Sequence, residues 1–340
     1  MNTANHMTEQ SATEEAATYA DVAAAARRLA GHANVTPLLQ SAVLNERTQA
    51  NVLLKAETLQ VIGAFKFRGA FNRLVQLNAE ERARGVIAWS SGNHAQGVAA
   101  AAHRLGIKAA IVMPSDAPSI KVEGTRRLGA EIIFYDRYRE DREEIGRRLA
   151  RERGATLVPS YDDPHIIAGQ GTVAIEAIAQ ARSIYNAQFD AWLSPCGGGG
   201  LIAGSALALH ELSPATKIYC VEPVGFDDTA RSLVSGKRES VDPQATTPCD
   251  ALMSSMPGAL TFPINRRLLT AGLVVSEEMV FHAMAFAWKE LKLVVEPGGA
   301  VALAAVLGGL IDCGGKTVGV VLSGANVDPD TYRLALTEGM

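Results

Sequence analysis

The sequence predicts an α/β protein of two lobes, each an open, mainly parallel, twisted sheet with helices on both faces. Three observations predict it. From about Asn51 onward, short apolar runs alternate with longer amphipathic ones, the pattern of parallel strands joined by crossover helices. The alternation falls into two series. Small or polar residues collect directly after four of the expected strands, where open parallel sheets bind ligands.

In chain order, Val86 to Trp89 reads as a strand, Ala95 to Leu105 as a helix, Ala109 to Met113 as a strand and Ile120 to Leu128 as a helix. Glu131 to Tyr135 is the next strand, Arg139 to Arg153 a helix, and Thr156 to Pro159 closes the first series. The second runs through a helix at Thr172 to Arg182, a strand at Asp190 to Ser194, a helix at Leu201 to Leu212 and a strand at Lys217 to Val221. It ends with helices at Ser276 to Leu291 and Gly299 to Leu307 and a strand at Thr317 to Leu322. Residues 78–156 are expected to form a small domain inserted into a larger one made of 19–77 and 157–340. Residues 1–18 are expected to be a flexible tail, by their polar composition and terminal position.

Composition excludes several functions. Of 340 residues, 48% are hydrophobic and 20% charged, enough apolar material for a large core. The net charge of −4 and the lack of a basic block argue against nucleic acid. Arg137 to Arg153 mixes both signs at helical spacing and reads as a solvated face. The apolar run Ala95 to Met113 contains His103, Arg104 and Lys108, so it is no membrane span. Cys196, Cys220, Cys249 and Cys313 form no C-x-x-C pair, which leaves zinc without support and suits reduced thiols in the cytoplasm.

The chemistry collects at strand ends. Ser90-Ser91-Gly92-Asn93-His94 follows the strand ending at Trp89, Gly197-Gly198-Gly199-Gly200 follows Cys196, Glu222 follows Val221, and Ser323-Gly324-Ala325-Asn326 follows Leu322. Turn formation explains any one of these. Four glycines opening a helix near Leu201 point further, to an anion held by free N–H groups and the helix dipole. Gly198-x-Gly200-x-x-Ala203 with Glu222 about 20 residues on also fits the relaxed dinucleotide fingerprint. A nicotinamide dehydrogenase and a phosphate-bearing coenzyme are equal readings of this segment. Gly63-Ala64-Phe65-Lys66-Phe67-Arg68-Gly69-Ala70 bears on the choice. A lysine at a helix start among apolar neighbours has its pKa lowered, which favours the neutral, nucleophilic amine.

With Lys66, Asn93, the tetraglycine and Ser323 in this order, the chain resembles the serine/threonine dehydratases. These are pyridoxal-phosphate enzymes of fold type II, with the fold of the tryptophan-synthase β-subunit, and they include the eukaryotic-type serine racemases. The resemblance runs from about residue 20 to about residue 330. Ala64 replaces the family's usual serine before Phe-Lys, and His94 is unlike the threonine of the cysteine synthases.

The resemblance implies that Lys66 carries the coenzyme covalently and that Phe65 packs near its ring. It also implies that Asn93 bonds its phenolic oxygen, that Gly197, Gly198, Gly199, Gly200 and Leu201 cradle its phosphate, and that Ser323 meets its ring nitrogen. Glu296 resembles a family acid near the coenzyme, or is a helix-start carboxylate. Ser90, Asn93 and His94 would grip the substrate carboxylate, and Ser91 matches the second acid/base of the racemases. Glu222, the Phe226 carbonyl and Asp228 resemble a magnesium, manganese or calcium site; an exposed acidic loop is the alternative. A neutral hydroxyl at Ser323, unlike a carboxylate, suits elimination over transamination.

The implied activity is a dehydratase/deaminase (ammonia-lyase) acting on a small β-hydroxy-α-amino acid, with amino-acid racemization at the same site as the alternative. A non-enzymatic amino-acid-binding protein would have no need of Lys66. Cys249-Asp250-Ala251-Leu252-Met253 departs from the family's Ala-Asp-Gly pattern, and Leu260 to Ile264 and Phe226 to Arg231 resemble the hydroxyectoine-utilisation dehydratases. A homodimer is expected, with Val280 to Trp288 as one apolar face it could bury.

Overall fold

Strand residues alternate between two cores. Val52, Leu54, Leu193, Val318, Val320 and Leu322 face one cluster, while Leu53, Trp192, Ile218, Cys220 and Val321 face another. This is the period of two that a sheet covered on both faces imposes. The computed structural model describes residues 17–90, 92–117 and 119–339.

The chain opens with α1 (Tyr19–Leu29), β1 (Leu38–Gln40), α2 (Ala42–Thr48), β2 (Asn51–Ala56), α3 (Lys66–Leu74) and α4 (Ala79–Arg84). There follow β3 (Val86–Trp89), α5 (Asn93–Leu105), β4 (Ala109–Pro114), α6 (Ser119–Arg127), β5 (Glu131–Tyr135), α7 (Arg142–Arg153) and β6 (Thr156–Leu157). The remainder is α8 (Pro164–Tyr185), β7 (Ala191–Pro195), α9 (Gly200–Leu212), β8 (Lys217–Pro223), α10 (Asp228–Ser235), α11 (Thr261–Leu268), β9 (Ala271–Val275), α12 (Glu277–Phe286), α13 (Pro297–Leu307), β10 (Thr317–Leu322) and α14 (Pro329–Glu338).

Among the described residues ten strands make two sheets, in the orders β1-β2-β10-β7-β8-β9 and β5-β4-β3-β6. Of these strand pairs only the edge pair β1–β2 is antiparallel. On the larger sheet, α12 and α13 pack with one cluster and α8 and α9 with the other. On the smaller, Val86, Ala88, Ile111 and Met113 meet α3 and α5, and Ile87, Ala110 and Val112 meet α7.

Caps explain where sequence expectation and structure differ. Asp141 accepts from the N–H groups of Glu143 and Glu144, so α7 starts at Arg142 rather than Arg139. Asp163 caps α8 and Pro164 occupies its first turn, which starts this helix eight residues before Thr172. The expected helix from Ser276 ends its α-helical part at Phe286 and closes in a π turn over Ala287–Leu291. Val280, Phe281, Met284 and Ala287 of that segment are buried within the chain; Trp288 is exposed.

Candidate active site

β2, β10 and β7 are parallel neighbours, so the segments after them emerge side by side. Phe65 N–H donates to the Ser323 carbonyl at 3.1 Å, and Ala325 N–H to the Gly63 carbonyl at 2.9 Å. Two residues about 260 positions apart, Lys66 and Ser323, are thereby joined through backbone. With Gly197 to Leu201 after β7 and Ser90, Asn93 and His94 after β3, they line one cavity of ≈ 840 Å³.

Lys66 opens α3, and its Nζ donates to the Ser160 carbonyl at 2.8 Å. Burial pushes the amine down to about 8, partly opposed by the Glu296 charge. Phe65 sits beside it, ring centroid 5.3 Å from Nζ. Glu296 precedes α13 without capping it. Burial pushes its carboxyl up to about 8, helped by Asp250 and opposed by its bond from Asn93 and by Lys121 and Lys66. Asn93 Nδ2 donates to Glu296 at 2.6 Å, and its Oδ1 accepts from Asn326 at 2.6 Å. The Asn93 amide is thus oriented from both ends.

His94 is buried, with Nε2 donating to the Val158 carbonyl at 2.8 Å. Burial, then the Lys66 charge, push it down to about 3, so the ring is neutral and Nδ1 is an acceptor. Nδ1 has no hydrogen-bond partner among the described residues. Ser90 Oγ accepts from Gly92 N–H at 3.1 Å. Ser91 lies outside the described residues.

The glycine turn is built so that no side chain fits. Gly199 has φ 92°, and a β-carbon there would stand 2.6 Å from Asn265 Nδ2 and 2.9 Å from Thr261 Oγ1. Gly198 and Gly200 are both covered by Tyr161. Thr261 Oγ1 holds the Gly198 carbonyl at 2.7 Å. Helix α9 starts here without a side-chain cap, so its first N–H groups and its dipole are free for an anion. A phosphate-bearing coenzyme with an aldehyde for Lys66 fits this set of groups.

Glu222 departs from the dinucleotide reading. Its carboxylate is buried and accepts from Thr229 and Ala230 N–H at 3.1 and 2.8 Å, and it does not line the cavity. The Asp228 charge acts on it instead; both carboxylate oxygens of Asp228 are buried with no hydrogen-bond partner among the described residues. Burial, and for Glu222 the Asp228 charge, push them up to about 8 and about 7. Phe226 is buried as well, and two raised carboxylates, one of them without a hydrogen-bond partner among the described residues, fit a hard cation. No group of three or more His, Cys, Asp or Glu gathers among the described residues.

Sequence reading alone does not single out Ser160, Tyr161 or Lys121. Ser160 and Tyr161 lie on an irregular segment whose relation to the site is set by packing. Lys121 on α6 pairs with Asp250 across the cavity; its only local signal was a charge on a helix near strand-end chemistry.

A buried lysine amine of lowered pKa, lining one cavity with an uncapped helix N-terminus, defines a coenzyme enzyme of the fold type II pyridoxal-phosphate class. The chain belongs to the pyridoxal-phosphate dependent enzyme family, whose sequence profile matches residues 29–324. It is 45% identical over 318 residues to the L-threo-3-hydroxyaspartate ammonia-lyase of Pseudomonas sp, covering 94% of this chain and 98% of that one. It is 40% identical to the serine racemase of Schizosaccharomyces pombe, covering 94% and 98%. The crystal structure of the T.th. threonine deaminase superimposes with TM-score 0.85 at 43% identity, covering 92% and 99%. The family match sets the nicotinamide dehydrogenase reading aside. Among the described residues no helix is long and apolar enough to cross a membrane.

Proposed function

We propose that this chain is a pyridoxal-phosphate-dependent carbon–nitrogen lyase that removes water from a small β-hydroxy-α-amino acid and releases a 2-oxo acid and ammonia. The observation that carries it is the Lys66 amine, lowered to about 8 and held at 2.8 Å by the Ser160 carbonyl, in the same cavity as the tetraglycine turn. Relatives act as ammonia-lyases on hydroxyaspartate and threonine, which supports a hydroxy-amino acid. Within that class 3-hydroxyaspartate, threonine, serine and a hydroxyectoine-derived amino acid are the substrates to assay.

Pyridoxal phosphate, bound there, supplies an electron sink that acidifies the substrate's Cα–H. Lys66, Phe65, Asn93, Gly197 to Leu201, Glu296 and Ser323 are the residues that would hold it. Lys66 Nζ takes and holds the Cα proton, a task that suits an amine whose pKa lies near neutrality. Helix α5 begins at Asn93 without a side-chain cap, so its free N–H groups, with Ser90 and His94, orient a substrate carboxylate. Glu296 keeps the Asn93 amide aimed. Glu222, Asp228 and the Phe226 carbonyl would hold Mg²⁺, Mn²⁺ or Ca²⁺, a structural cation outside the cavity.

The racemase reading has its own support in the 40% identical serine racemase, with Ser91 as the second acid/base. Keto-acid release from the hydroxy-amino acids above, lost in Lys66→Ala, tests the lyase; chiral analysis of unreacted substrate separates the racemase. We take residues 78–156 as the small domain and 19–77 with 157–340 as the coenzyme domain, and the protein as a cytoplasmic homodimer. Sedimentation velocity measures the assembly.

A further inference from the structure

Buried polar groups are hydrogen-bonded as a rule, and one without a partner marks a task that the fold alone does not explain. From the geometry we infer that Asn265 is a positioning residue of the phosphate seat, its amide nitrogen strengthening from behind the hold of the glycine turn on a phosphate. The inference rests on the reading of that turn as the phosphate seat.

Asn265 lies on α11 and is fully buried. Neither its Nδ2 nor its Oδ1 has a hydrogen-bond partner among the described residues. Its neighbours on the helix, Phe262 and Ile264, are buried and apolar, and a leucine of the same shape would avoid the cost of desolvating an amide. Thr261 stands one helical turn earlier, so the two side chains share a face. Both meet the same point of the glycine turn: a β-carbon on Gly199 would stand 2.9 Å from Thr261 Oγ1 and 2.6 Å from Asn265 Nδ2. Thr261 gives its proton to the Gly198 carbonyl at 2.7 Å. Asn265 makes no such bond, and the end of its amide nearest Gly199 is the nitrogen.

The uncapped N–H groups that open α9 face an anion from the cavity side. Neither Thr261 nor Asn265 lines the cavity, so the amide acts through the turn and not on the coenzyme itself. It presents the positive end of its dipole to Gly199 from packing that excludes water, where a fixed dipole is felt far more strongly than in solution. A buried position that would gain stability from an apolar residue, yet keeps an amide against an anion seat, is one where stability yields to function.

The test separates the phosphate from the rest of the coenzyme. Full-length apoenzyme and its Asn265→Leu variant are titrated with pyridoxal phosphate and with pyridoxal, which lacks the phosphate, by the visible absorbance that binding produces. Both are also unfolded in urea. We expect Asn265→Leu to weaken pyridoxal phosphate about tenfold, to stay within about twofold on pyridoxal, and to unfold at a urea midpoint no lower than the wild type's. Equal losses on both aldehydes, no loss on either, or a lowered midpoint overturns the assignment. Should the Leu variant not fold, Asn265→Asp keeps the shape and replaces the donor with an oxygen; an unchanged ratio of the two affinities then overturns it. A wild type that binds the two aldehydes equally sinks the reading of the turn as the phosphate seat, and this inference with it.

Discussion

At the scale of single residues, function turns on groups whose ordinary chemistry burial has altered. Lys66→Ala removes the amine that, on the proposed function, meets the coenzyme and takes the Cα proton. Turnover is expected to fall to background, together with the visible absorbance of the bound coenzyme. Retained turnover would refute the role. His94 makes a stability prediction. Its folded value is about 3 against an ordinary 6.5, so the unfolded chain takes up a proton first as pH falls. Its contribution is complete above 6.5 and declines from there toward 3. Between pH 6.5 and 4.5 the loss is about 2–3 kcal/mol, at about 1.36 kcal/mol per unit. His94→Gln, which can still donate to the Val158 carbonyl, should show a flatter urea midpoint across that range; parallel curves would contradict it.

At the scale of elements, two devices hold the site. Helices α8 and α9 cross where Gly171 and Gly204 meet: a β-carbon on Gly204 would stand 2.6 Å from Gly171 N and 2.8 Å from its Cα. Gly204→Ala should therefore cost about 1–3 kcal/mol of overpacking, read by chemical denaturation, and would tilt the helix whose first turn is proposed to bind the phosphate. The second device is charged. Arg68, fully buried on α3, pairs with Glu57 at 2.7 Å and with Glu176 of α8 at 2.7 Å. Lys55 of β2 pairs with the same Glu176 at 2.9 Å. Two cations and two carboxylates thus tie β2, α3 and α8 together two residues from Lys66. Arg68→Met leaves Glu57 buried without its partner and should cost about 3–5 kcal/mol. A loss below about 1 kcal/mol would show that the network relaxes easily.

At the scale of the whole molecule, the cavity lies between two sheets, with Lys66, Ser323 and the tetraglycine on segments of the larger and Ser90, Asn93 and His94 on the smaller. A coenzyme that contacts both and that the unfolded chain cannot hold stabilises the folded state by mass action, about 2.7 kcal/mol at a hundredfold its Kd. Pyridoxal phosphate should raise Tm with concentration, and NADH should not. A Tm that responds only to NADH would restore the dehydrogenase reading.

The sequence by itself determined the α/β alternation, most strand positions and the chemistry placed at strand ends: Lys66, Asn93, Gly197 to Gly200 and Ser323 all stand out because period, turn residues and helix starts are local signals. Helix starts were less legible where the signal was a cap rather than a period, as at Asp141 and Asp163. Only the tertiary structure decided which strand ends share a cavity. It left Glu222 outside the cavity, and it laid Tyr161 over Gly198. It also buried most of the apolar face of α12 inside the chain. The reason is that local spacing encodes the direction of side chains along one element. The distance between irregular segments 36 to 260 residues apart depends on sheet order and helix packing, which no single stretch of sequence contains.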